Sequence, residues 1–94
     1  MIRKTDELRR LYEAIINLET VDECGKFFED LCTIKELDAM SQRFAVAELL
    51  NKGHIYNDIL ERTGASSATI SRVNRSLNYG AGGYKLILDR VKNK

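Results

Sequence analysis

Apolar residues at Leu8, Leu11, Tyr12, Ile15 and Leu18 recur three and four apart, the spacing that gathers side chains on one face of a helix. Thr5 precedes them as a cap, and Asp6 and Glu7 place carboxylates at the positive end of the helix dipole. A second helix is predicted from Thr20. There Thr20-Val21-Asp22-Glu23 has the spacing of a capping box, and Cys24, Phe27, Phe28 and Leu31 form the inward stripe. Thr33-Ile34-Lys35-Glu36 repeats the box and opens a longer third helix. Its inward positions are Leu37, Met40, Phe44, Ala47 and Leu50 or Leu49, and Gly53 closes it.

Beyond Gly53 the periodic segments shorten. Ile55, Ile59 and Leu60 line a helix of about two turns that stops at Gly64. Ser66 or Ser67 can cap the next, whose inward face is Ile70, Val73, Asn74 and Leu77. The stretch from Asn78 to Gly83 reads as a glycine-rich loop, and Tyr84, Ile87, Leu88 and Val91 mark a last helix before a frayed Lys92-Asn93-Lys94. With no alternating strand pattern and no internal repeat, the expected fold class is all-α, six helices in one domain spanning 1–94.

Composition changes this picture little. The chain has 94 residues, no proline and no tryptophan, and its apolar residues are spread in short groups. A core of that size is modest, so a partner subunit would help to complete it. No stretch could span a membrane, and the charged amino end from Met1 to Glu7 lacks the apolar centre of a signal peptide, which points to the cytoplasm. Cys24 and Cys32 stand eight apart, without the spacing of a zinc site or a redox CxxC pair, and are expected to act as small core hydrophobes; no metal site is expected.

Charge is uneven along the chain. Residues 1–52 carry −3 and residues 53–94 carry +4, within a total of only +1. No acidic residue falls between Arg62 and Leu88, whereas Arg72, Arg75 and Lys85 do. The carboxyl-terminal half can therefore approach a polyanion without repulsion.

The two short helices around Gly64 have the attributes of a helix-turn-helix, at about residues 54–78. Gly64 tolerates left-handed backbone angles in the turn, and Ile59, Leu60, Ala65, Ile70 and Val73 can lock the pair together. The outward face of the second helix holds Ser67, Ala68, Ser71, Arg72 and Arg75, with Thr69 at its edge and Ser66 at its start. Hydroxyls there can bond to base edges or phosphates, an alanine methyl can touch a thymine methyl, and arginine can pair with guanine or grip the backbone. Ser66, Ser67, Ala68, Thr69, Ser71, Arg72 and Arg75 are the expected DNA-binding residues, with Lys52 and Lys85 as further candidates for phosphate.

From Thr33 to Leu77 the chain resembles the Trp repressor family. The resemblance rests on a capped long helix ending in Glu48-Leu49-Leu50-Asn51-Lys52-Gly53, then on Gly64-Ala65-Ser66-Ser67-Ala68-Thr69-Ile70-Ser71-Arg72, then on Asn74-Arg75-Ser76-Leu77. It is most similar to a small branch in Gram-positive bacteria whose members have no assigned effector. The resemblance implies an intertwined all-helical homodimer whose amino-terminal helices share a core. It also implies a regulator, expected to be a repressor, that reads palindromic double-stranded DNA with two heads about 34 Å apart.

The family's amino acid effector lies between the long third helix and the reading helix. Matching positions for a candidate small-molecule effector pocket are Thr33, Arg43, Arg72 and Ser76, but Val73 replaces a glycine that leaves room for the indole ring. A branched side chain there overpacks the slot, so the expectation is a protein that does not use tryptophan. Two further departures are the acidic Asp58 and Glu61 in the first helix of the motif, and an interval from Gly53 to Gly64 shorter by one residue. Arg43 can equally pair with Glu36 or Glu48 on its own helix.

Catalysis is not expected. His54 stands beside Gly53 with no nucleophile or carboxylate pair placed to work with it, and Gly80-Ala81-Gly82-Gly83 with Lys85 lacks the strand and the Gly-Lys-Ser/Thr ending of a phosphate-binding loop. The alternative function is a helical protein–protein interaction module on the same fold.

Overall fold

A computed structural model describes residues 5–92. The charged stretch Met1 to Lys4 and the tail residues Asn93 and Lys94 lie outside the described residues. Among those described the chain forms six helices and no strand: α1 (Asp6–Ile15), α2 (Val21–Leu31), α3 (Ile34–Asn51), α4 (Tyr56–Thr63), α5 (Ser67–Tyr79) and α6 (Gly83–Lys92). None is long and apolar enough to cross a membrane. Two compact units divide the chain, Met1–Leu37 and Asp38–Lys94.

In the amino-terminal unit, local capping chemistry sets the helix starts. The Thr5 hydroxyl accepts from the Leu8 amide at 3.1 Å, and that of Thr20 accepts from the Glu23 amide at 3.0 Å. The box at Thr20 closes in a shifted form: the Glu23 carboxylate reaches past the cap residue to the Glu19 amide, at 2.9 Å. The box at Thr33 is reciprocal. Its hydroxyl accepts from the Glu36 amide at 3.1 Å, and its own amide donates to the Glu36 carboxylate at 2.8 Å. Leu8, Leu11, Ile15 and Leu18 are half-buried, as are Cys24, Phe27 and Phe28, whose two rings meet edge to face. Neither α1 nor α2 contains a fully buried residue. Tyr12, Leu31, Ile16, Val21 and Ile34 are exposed, the last three by more than three-quarters of their surface. The sequence stripes placed Tyr12 and Leu31 inward, and the structure leaves them in solvent.

Every fully buried residue among those described belongs to the carboxyl-terminal unit: Val46, Ala47, Ile59, Ala65, Ile70, Val73, Leu77 and Leu88. Phe44, Leu49, Leu50, Leu60 and Tyr84 pack against this cluster. α3, α4, α5 and α6 thus each contribute to one core. Val46 lies off the predicted stripe of α3. That helix is half-buried nearly all round from Gln42 to Leu50, so no single stripe describes it. Ile55 departs in the opposite sense. It is the residue before α4, with extended backbone, and is 70% exposed.

The predicted loop from Asn78 to Gly83 contracts to residues 80–82. The Asn78 side-chain amide donates to the Asn74 carbonyl and side-chain oxygens at 2.9 and 3.0 Å, which carries α5 on through Tyr79. Gly80 then donates its amide to the Ser76 carbonyl, and a Cβ at that position would run into the Ser76 backbone.

Gly64 closes α4 in the left-handed region, at φ 70°, with its amide on the Leu60 carbonyl. No atom lies within 4 Å of where a Cβ would stand. Gly64→Ala should therefore lower stability by about 1–2 kcal/mol through backbone strain alone. Urea denaturation checks this, with Gly64→Asn expected to lose less because asparagine tolerates that region.

Candidate nucleic-acid interface

Two short helices and the turn between them are held by several polar ties. The Thr63 hydroxyl donates to the Ile59 carbonyl at 2.7 Å and accepts from the Ala65 amide at 3.1 Å. The Gln42 side chain, from α3, donates to the Thr63 carbonyl at 3.3 Å. Ser66 caps α5: its hydroxyl accepts from the Thr69 amide and donates to the Thr69 hydroxyl, both at 3.1 Å. Below the turn, Ile59 and Ala65 meet Ile70 and Val73 in the core. The expected locking residues are therefore all in place, with Leu60 half-buried at the margin. Ser66 is the cap, and Ser67 is the first helical residue.

α5 separates its two faces cleanly. Ile70, Val73 and Leu77 are buried, while Ser67, Ala68, Ser71, Arg72, Arg75 and Ser76 are exposed. At 3.6 residues per turn, Ala68, Ser71, Arg72 and Arg75 fall within one arc opposite the buried side. Thr69 is half-buried at the edge. The hydroxyls of Ser66 and Thr69 are engaged with each other and with the helix end, so Ser67 and Ser71 are the freer hydroxyls of the set. The sequence pattern puts Tyr79 in a loop. The extended helix puts it on the same arc, four residues after Arg75 and seven after Arg72, with 87% of its surface exposed. The i, i+3, i+7 spacing of Arg72, Arg75 and Tyr79 is the signal in the sequence. The glycines that follow obscured it.

α4 opens without a side-chain cap on its first residue. A carboxylate one turn in ties side chains together instead: Asp58 Oδ2 lies 2.5 Å from His54 Nδ1, and the Arg62 Nε–H donates to both Asp58 oxygens at 3.1 Å. His54 thus has the carboxylate partner that the sequence reading did not foresee. A negative charge in the first turn of α4 also suits the helix dipole. Hydrogen bonds from His54 and then Arg62 hold the Asp58 carboxyl below its ordinary pKa of 3.8.

The five positions of the candidate effector pocket are not assembled alike. Thr33 belongs to the amino-terminal unit, where its hydroxyl caps α3. In the other unit Val73 is 1% exposed, inside the core. Arg43 on α3 is half-buried and Arg72 on α5 is exposed. Ser76 lines an open, mainly apolar cleft of about 470 Å³ with Phe44, Tyr84, Ile87 and the loop between α5 and α6. No group of three or more His, Cys, Asp or Glu among the described residues could hold a metal, and Cys24 and Cys32 are free and half-buried.

A capped helix, set on a buried core after a shorter helix and a left-handed turn, defines a helix-turn-helix protein. Residues 6–92 match the model of the Trp repressor protein family, and the chain belongs to that family. It is 51% identical over 86 residues to the uncharacterised protein YerC of Bacillus subtilis, covering 92% of this chain and 83% of that protein. Two solved structures share its fold with a TM-score of 0.91 each. One is a TrpR-like protein from Eubacterium eligens, 53% identical, with 95% of this chain and 92% of that one covered. The other is a proposed Trp repressor from Staphylococcus aureus, 45% identical, with 97% and 91% covered.

Because folding lowers the Asp58 pKa, the stability contributed by this group is fully present above 3.8 and is lost as pH falls through the folded-state value. Urea midpoints of the wild type and Asp58→Asn should differ by a constant amount above 3.8 and converge in more acid solution. A gap that does not close on acidification would show that the carboxylate's contacts are not what it contributes.

Proposed function

We propose that this protein is a sequence-specific DNA-binding transcriptional regulator, a repressor that acts as a homodimer on palindromic operators. The single observation that carries this reading is the outward arc of α5. Two arginines, one hydroxyl and one methyl stand there, with the Ser67 hydroxyl beside them, on a helix fixed from behind by Ile70 and Val73, and no carboxylate is encoded between Arg62 and Leu88. Small side chains at the amino end of the helix let it enter the major groove, and the arginines further along meet phosphate or guanine. Ser67, Ala68 and Ser71 are the base readers in this reading, Arg72 and Arg75 the cationic contacts, and Ser66 and Thr69 shape the helix end that meets the backbone. Lys52 and Lys85, both exposed, are auxiliary phosphate contacts.

The homodimer is supported by the amino-terminal unit, whose helices leave Tyr12, Ile16 and Val21 in solvent and bury no residue fully. A second copy supplies the missing cover, and residues 1–94 then act as one DNA-binding domain with the reading motif near 54–78. The site of action is the cytoplasm, at the nucleoid.

Tryptophan is not the corepressor in this reading. Val73 stands where the family has a glycine, and its side chain is already packed against the core. Ser76, the only one of the five pocket positions on the 470 Å³ cleft, leaves room for a different small effector. Calorimetry with L-tryptophan should give no heat of binding at micromolar concentrations, and added tryptophan should leave DNA affinity unchanged.

Selection of bound duplexes from a random pool tests the main reading and should return a palindrome. Against that operator, Arg75→Ala should weaken binding to all sequences and reduce the salt slope by about one. Ser71→Ala should instead change the preference between operators. A pool from which no sequence is enriched would leave the fold as a protein–protein interaction module.

A further inference from the structure

The arc of α5 that faces away from the core does not end with Arg75. Tyr79 lies near its centre, one turn further on, as the last residue of the helix. A tyrosine 87% exposed beside two arginines has its hydroxyl in solvent and its ring on no neighbour that would hide it. In that turn Asn78 has its side-chain amide tied back to Asn74, and Ser76 lies off the arc, so the phenol is the donor on its outward side. After Tyr79 come Gly80, Ala81, Gly82 and Gly83, all small residues.

Distance along the helix then assigns a place on DNA. From Ala68 to Tyr79 the axis rises by about 16 Å, at about 1.5 Å per residue. The major groove is only about 12 Å wide. With the amino end of the helix against the base edges, as the proposed function requires, and its axis leading out across the groove, Tyr79 lies beyond the groove wall, at the level of the sugar–phosphate backbone. Resting on that reading, we infer that Tyr79 is a phosphate-contacting residue at the rim of the groove, donating its phenolic hydrogen to a backbone oxygen and so fixing how deeply the reading helix sits. It is a neutral contact, in contrast to Arg75 one turn before it.

That difference makes the contact measurable. A cation that meets phosphate releases condensed counterions, whereas a phenol does not. Equilibrium binding of the full chain to the selected operator and to a random-sequence duplex, each over a series of salt concentrations, should be compared for the wild type, Tyr79→Phe and Arg75→Ala. Tyr79→Phe should weaken both duplexes by the same factor, about two- to tenfold as expected for one hydrogen bond, with the salt slope unchanged. Because the side chain is exposed, the thermal midpoint of Tyr79→Phe should match the wild type, which separates a lost contact from a damaged fold. Unchanged affinity of Tyr79→Phe on both duplexes overturns the inference and leaves the DNA reading intact. A shift in preference between the duplexes also overturns it, since the residue would then be reading bases. If the wild type binds neither duplex, the DNA reading fails and this inference with it.

Discussion

A single reversal of the chain carries the rest of the structure. At Gly64 the backbone enters the left-handed region, and the following residues must then bring Ala65, Ile70 and Val73 back onto Ile59. That packing determines where α5 points, because the buried and exposed sides of a helix are fixed relative to each other by its pitch. Burying Ile70 and Val73 therefore commits Ala68, Ser71, Arg72, Arg75 and Tyr79 to solvent together. Polar ties secure the reversal from two sides: Thr63 satisfies a carbonyl and an amide inside the turn, and Gln42 holds the turn to α3.

The same constraint bears on the regulation proposed above. Val73 is 1% exposed within this core, so on that proposal the chain's own side chain holds α5 in place without a ligand.

Local chemistry was legible in the sequence, and long-range chemistry was not. Thr5, Thr20, Thr33 and the pair Ser66-Ser67 mark four helix starts because a cap is decided within four residues, and Ser66 is the cap of the last. Gly53 and Gly64 announced two stops, since each adopts a positive φ. Val46 escaped notice because α3 has neighbours on most sides and its burial has no simple period. The tie from Gln42 to Thr63 spans 21 positions, and no pattern in the chain points to it. Asn78 and Tyr79 were hidden by their neighbours. Four small residues after them suggest a loop, yet an asparagine that bonds back one turn extends the helix to the last position before Gly80. The exposed side of α5 is thus legible in the sequence as far as Arg75, and its final turn only in the structure.

All the fully buried residues among those described lie at or after Val46, none in α1 or α2. Protection against opening follows burial, so the two parts of the chain differ in how readily their backbone exchanges with solvent. The segment carrying α4 and α5 opens only when the whole core is lost. The amino-terminal helices, held by caps and half-buried stripes, open at smaller cost. The candidate DNA-facing helix therefore stands on the part of this molecule that melts last.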